Sequence, residues 1–145
     1  MPKTVKDIMT TKIETVRTSD TAKDAANKMM DKNVSSLLVL DGNDYIVGIV
    51  TERDIVRGIC THDRNSKDFK IHHVMSSPVL SIDLDSPAEA AANIMLQKKV
   101  RHLVIKHGDK PVGIITATNF IDYLDDESHV DYINARIIRT LKDEF

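Results

Sequence analysis

The chain is written twice, and that repetition limits its fold more than any other feature. When residues 8–42 are set beneath residues 74–108, Met9 meets Met75 and Val16 meets Ile82. Ala22, Ala25, Ala26, Asn27 and Met29 meet Ala88, Ala91, Ala92, Asn93 and Met95. Val34, Leu37 and Gly42 meet Val100, Leu103 and Gly108. After the loss of one residue the match resumes, with Val47-Gly48-Ile49 on Val112-Gly113-Ile114 and Thr51 on Thr116. So many ordered matches with a single gap mean two copies of one supersecondary unit.

Each copy predicts the same elements. A brief extended stretch, residues 13–16 or 79–82, precedes a helix. Ala22, Ala25, Ala26, Met29 and Met30 fall on one helical face, and Ala88, Ala91, Ala92, Met95 and Leu96 repeat it. Ser86-Pro87-Ala88-Glu89 predicts an N-cap at Ser86, Pro87 in the first turn and a capping box closed by Glu89. Two strands follow, residues 36–40 with 46–50 and residues 102–106 with 112–115. Asp41-Gly42-Asn43-Asp44 and His107-Gly108-Asp109-Lys110 supply the turns between them. A last helix begins at Thr51 or Thr116. The expected fold is α/β (α+β), two tandem βαββα repeats at residues 1–61 and 71–127 with a polar linker at 62–70. Neither copy can cover its sheet alone, so the two are expected to pack together.

Composition narrows the class of function. Hydrophobic residues make up 41% and charged residues 29%, a globular balance, and aromatics only 4%, so the core must be aliphatic. A net charge of −2 gives no global pull towards nucleic acid or an anionic membrane, so any anion site must be local. Cys60, the one cysteine, cannot form an internal disulfide and reads as a buried small hydrophobe or an idle thiol. The start lacks an apolar signal segment, and runs such as residues 37–40 fall far short of the about 20 residues that span a bilayer. A cytoplasmic protein is the default expectation. No Ser/His/Asp or Cys/His arrangement and no glycine-rich phosphate loop is readable, so catalysis is not expected.

The segment Thr51-Glu52-Arg53-Asp54 leaves a strand and enters a helix. On one reading it is a capping box, the Thr51 hydroxyl and Asp54 carboxylate satisfying helix-start amides. On the other, the same geometry serves a ligand: free N–H groups suit a phosphate, and a carboxylate one turn on can accept both hydroxyls of a ribose. Gly48 permits close backbone approach.

The order of elements, ending in residues 48–54 and preceded by Lys6-Asp7-Ile8-Met9-Thr10, is similar to the cystathionine-β-synthase (CBS) domain. The second copy repeats the resemblance in residues 74–79, 100–104 and 113–119, so that it spans residues 5 to about 125. It implies a pseudo-twofold module with two clefts, binding AMP, ADP or ATP, less readily S-adenosylmethionine or NAD, and regulating a partner protein. The matching Thr51 and Asp54 would contact phosphate or ribose, with Arg53 and Arg57 in support. Arg101 and His102 would face the phosphates of the ligand whose ribose Asp54 holds. Ile13, Glu14 and Thr15 occupy the position of the adenine wall; as readily, they pack as short edge strands.

The second site is expected to be weaker. Asn119 in Thr116-Ala117-Thr118-Asn119 replaces the carboxylate by an uncharged amide. Ser35 and Ser36 stand where the basic pair would be, and Val79, Leu80 and Ser81 supply the wall. No metal ligand set is expected: His62, His72 and His73 flank a polar stretch that reads as a solvent-exposed linker. Residues 128–145 place Val130, Ile133, Ile137, Ile138 and Leu141 at helical spacing, an amphipathic helix for packing, a dimer contact or a docking partner.

The leading expectation is therefore an adenine-nucleotide-binding regulatory module with no attached enzyme or transporter domain and no required cofactor. It is expected to form a homodimer and to act on an unknown partner. The alternatives are an oligomerising module whose clefts bind nothing and a nucleic-acid-associated regulator. Neutral charge and scarce aromatics count against the last.

Overall fold

A computed structural model describes residues 3–125 and Thr140. In chain order its elements are α1 (Val5–Ile8), β1 (Thr15–Arg17), α2 (Ala22–Lys32), β2 (Ser36–Leu40), β3 (Ile46–Thr51) and α3 (Glu52–Ile55). The last runs on as a π-helical stretch, Val56–Cys60, and a 3-10 turn follows at Ile71–His73. The second half holds β4 (Ser81–Asp83), α4 (Ala88–Lys98), β5 (His102–His107), β6 (Lys110–Thr116) and α5 (Ala117–Asp125).

The residues divide into two compact units. One runs from Ile13 to Val79; the other joins the residues before Ile13 to those after Val79. The packing units are thus offset from the sequence repeats, for a reason visible in the backbone. In the first unit the opening segment of the second repeat pairs with β3, as Ile49 and Ser76 exchange hydrogen bonds at 3.0 and 2.8 Å. In the other, Thr10 and Ile114 exchange them at 2.9 and 3.0 Å.

Within each unit a three-stranded sheet has one topology and one register. β1 runs parallel to β2, and β2 antiparallel to β3, as β4, β5 and β6 do. Val16 lies beside Val39 and Leu38 beside Ile49; correspondingly, Ile82 lies beside Ile105 and Val104 beside Ile114. The central strand reads Ser-Leu-Leu-Val-Leu because four of its five residues are buried, which removes the polar alternation of a half-exposed strand. Val16, Ala22, Ala25, Met29, Leu37, Val39, Val50, Ile59, Ile71 and Val74 make one core. Val5, Ile8, Ala91, Ala92, Met95, Leu103, Ile105, Ile115 and Phe120 make the other.

Two expectations are corrected. Met30 is not part of the buried stripe of α2; it is 80% exposed, while Ala22, Ala25 and Met29 are buried. A three-stranded sheet is narrow, and only the i, i+3, i+7 edge of the helix meets it. The counterpart Leu96 is half-buried. Nor is Ser86 the cap of α4. Pro87 is the N-cap, without a side-chain cap bond. Backbone takes that role: the Lys3 carbonyl accepts from Ala88 N–H at 2.9 Å, and the Ser86 carbonyl in turn accepts from Val5 N–H at 2.9 Å. The side-chain box lies instead at α2, where Thr21 accepts from Asp24 N–H at 3.1 Å and Asp24 accepts from Thr21 N–H at 2.9 Å.

The polar linker is more than a solvated tether. Ser66 and Phe69 carbonyls accept from Lys23 and Ala22 N–H at 3.1 and 2.8 Å, closing the first turn of α2. Phe69 packs on the core of its unit, under the Arg64 guanidinium at 4.7 Å. Cys60 is exposed and free, so of its two readings the buried hydrophobe is excluded. The C-terminal stripe from Val130 to Leu141 lies outside the described residues. Among the described residues no helix is long and apolar enough to cross a membrane.

Candidate functional site

The two helix-start corners are built alike. Thr51 closes β3 in extended conformation and caps α3. Its hydroxyl accepts from Asp54 N–H at 3.1 Å, and its N–H donates to Asp54 Oδ2 at 2.9 Å. In the other unit the Thr116 hydroxyl accepts from Asn119 N–H at 3.1 Å and Thr116 N–H donates to Asn119 Oδ1 at 2.9 Å. The residue before each central strand ties down the next amide: Ser35 C=O accepts from Glu52 N–H at 3.1 Å, and Arg101 C=O from Ala117 N–H at 3.0 Å. The capping reading is therefore observed at both corners, and it leaves different groups over.

At Asp54 both carboxylate oxygens are held and neither is used up. Oδ2 carries the Thr51 N–H, and Oδ1 accepts from the Ser76 hydroxyl at 3.1 Å. A carboxylate has about four lone-pair positions, so half of its accepting capacity remains on a half-buried side chain. At Asn119 the single oxygen carries the cap on one of its two lone pairs, and what is left is one uncharged accepting position and an amide nitrogen that donates. Ser76 was not among the residues picked from the sequence. The only signal was its place beside Met75, in the copy of Met9-Thr10.

The remaining candidates fall as follows. Ser36 lies opposite Thr51 in the sheet, and His102 opposite Thr116. Ser36 is buried, Ser35 exposed, and Arg101 and His102 half-buried. Burial pushes His102 down to about 4, with the neighbouring Arg101 charge adding to the shift. At neutral pH the pair is thus one cation and one neutral imidazole, not two cations. Arg53, Arg57 and Thr118 are exposed. Glu14 and Leu80 carbonyls each accept at 3.0 Å, from Leu38 and Val104 N–H, and the Thr15 carbonyl accepts from Lys28 Nζ. Ile13, Glu14, Thr15, Val79 and Leu80 are half-buried and Ser81 exposed; of these only Thr15 and Ser81 belong to the edge strands β1 and β4, and the others lie just before them.

Gly48 has a partner of its own. A Cβ there would sit 2.7 Å from Met75 Sδ and 2.9 Å from Ser76 O. At Gly113 the equivalent distances are 2.7 Å to Met9 Sδ and 2.8 Å to Thr10 O. The close approach expected at Gly48 is thus made by this chain's own backbone. Among the described residues no three His, Cys, Asp or Glu side chains gather to hold a metal ion; His72 and His73 lie ring on ring at 3.9 Å, and His72 Nδ1 is 3.2 Å from Thr18 O.

Two copies of a βαββα unit, each with a Thr-x-x-Asp/Asn corner after its third strand, define a tandem-repeat domain protein. The CBS domain model matches residues 5–60 and 71–126, and the chain belongs to the CBS domain family. It is 36% identical to a 17.7 kDa protein of Acidianus ambivalens over 77% of this chain and 67% of that one. It is 32% identical to the CBS domain-containing protein YhcV of Bacillus subtilis, over 77% and 78%. Other relatives are longer, the chain spanning 53% of one from Methanopyrus kandleri. The hexameric CBS-CP12 protein of bloom-forming cyanobacteria superposes with a TM-score of 0.78 at 25% identity, over 97% of this chain and 83% of that one. CBS pairs are in general regulatory rather than catalytic, and they often bind nucleotides.

Proposed function

We propose that this CBS pair is a non-catalytic regulatory module that binds an adenine nucleotide, AMP, ADP or ATP, principally at the Asp54 corner. The supporting observation is the Asp54 carboxylate, oriented on both oxygens with half its lone pairs left to accept ribose hydroxyls. Thr51 holds that orientation. The Asn119 corner is the weaker of the two. Signalling passes to a partner protein through self-associated modules, a homodimer in the simplest case.

Thermal-shift screening of ligand-free protein with AMP, ADP, ATP, S-adenosylmethionine and NAD tests the reading, because a ligand selective for the folded state raises the melting temperature. A shift with adenine nucleotides supports it; no shift with any of the five favours an oligomerising module whose clefts bind nothing. Light scattering at micromolar concentration checks the assembly, and a monomer mass removes the homodimer.

A further inference from the structure

We infer that Ser76 is the positioning residue that lets the Asp54 corner tell a ribose from a deoxyribose. Ser76 is not there by a loop's accident. Its backbone is bridged to Ile49 in both directions, at 3.0 and 2.8 Å, and the missing side chain of Gly48 admits it to that distance. From this anchored place its hydroxyl donates to Asp54 Oδ1 at 3.1 Å, while Thr51 N–H holds Oδ2 at 2.9 Å. A carboxylate fixed at both ends loses its torsional freedom before a ligand arrives, which lowers the ordering cost of binding. Ser76 is also exposed, and its hydroxyl keeps lone pairs of its own for a ligand hydroxyl. The other unit lacks this arrangement. Thr10 stands in the equivalent place, but its hydroxyl accepts from Lys12 N–H at 3.3 Å, and Asn119 Oδ1 holds the Thr116 N–H.

The inference rests on nucleotide binding at Asp54, and the test separates the two. AMP and 2′-deoxy-AMP are titrated calorimetrically into the unmutated protein, Ser76→Ala, Ser76→Thr and Asp54→Ala. The unmutated protein should prefer AMP by about tenfold, and Ser76→Ala should bring that preference to about twofold while weakening AMP several-fold. Ser76→Thr keeps a hydroxyl and should restore the preference; a general structural defect would not be rescued in that ratio. If Asp54→Ala abolishes binding but Ser76→Ala keeps both the affinity and the preference, Ser76 has no such role and the nucleotide reading stands. If the unmutated protein binds neither compound, both fall. Melting curves confirm that each variant is folded.

Discussion

Thr51–Asp54 and Thr116–Asn119 occupy one place in two copies of one unit, and their backbones are held alike. The reciprocal cap bonds are the same length in both, 2.9 and 3.1 Å. The crossing segment, Met75-Ser76 or Met9-Thr10, lies against the same glycine in each. What differs is what the cap leaves over. An aspartate retains charged accepting positions on both oxygens; an asparagine retains one uncharged accepting position and a donating nitrogen. The lesson is that a capping motif and a binding motif need not compete for a residue. Asp54 can serve both because a carboxylate has more lone pairs than a cap consumes.

The largest expected difference between the units is electrostatic and concerns the residue at the head of the central strand, His102 in one and Ser36 in the other. A half-buried neutral histidine beside an arginine resists protonation in the fold but not in the unfolded chain. Between its ordinary value of 6.5 and its folded value of about 4, the unfolded state binds the extra proton. Stability is therefore full above this window and falls as the pH drops through it, by at most about 3 kcal/mol. His102→Gln should flatten that fall, which is about two to three pH units wide, in urea unfolding measured between pH 7 and 4. Asp7 and Asp24, whose carboxyls are held low chiefly by the Thr4 and Thr21 N–H groups, titrate in both proteins and cancel in the difference. Superimposable curves would contradict the burial of His102.

Next comes a test of sameness. Gly48→Ala and Gly113→Ala each force a methyl onto a bridged backbone oxygen, and each should cost about 2 kcal/mol. Gly42→Ala meets nothing within 4 Å and should change stability by under about 0.5 kcal/mol. Unequal losses at Gly48 and Gly113 in denaturant melts would show that the crossing segments are not equivalent.

The smallest effects concern caps. Thr51→Ala and Thr116→Ala should each lose about 1 kcal/mol. Ser86→Ala, whose side chain caps nothing, should lose under about 0.5 kcal/mol. A Ser86 loss as large as the other two would restore the cap the sequence suggested.

That comparison also shows where the sequence was legible. The strands and last helices could be placed because a buried central strand writes itself as an apolar run and the repeat supplies each assignment twice. The Ser86 cap misled because Ser-Pro-Ala-Glu satisfies the local rule, while the Lys3 carbonyl, more than eighty residues away in the chain, accepts the Ala88 N–H instead. Met30 misled because helical spacing says which residues share a face but not how wide the facing sheet is. The Thr51–Asp54 cap was readable from spacing, and a ligand role for it only from the resemblance. The Ser76 bond was not, since it depends on a segment crossing β3 that no local pattern announces. The neutral state of His102 is likewise a product of burial, which a sequence lists only as a histidine beside an arginine.

The central claim is that the carboxylate corner, not the amide corner, carries the tight nucleotide site. Calorimetric titration of AMP and ATP into Asp54→Ala and Asn119→Ala tests it most directly. A charge-assisted hydrogen bond exceeds a neutral one by enough to separate the two sites by about tenfold or more. Asp54→Ala should abolish the tight binding event, and Asn119→Ala should leave it nearly unchanged. Tight binding that survives Asp54→Ala and disappears in Asn119→Ala would contradict the account.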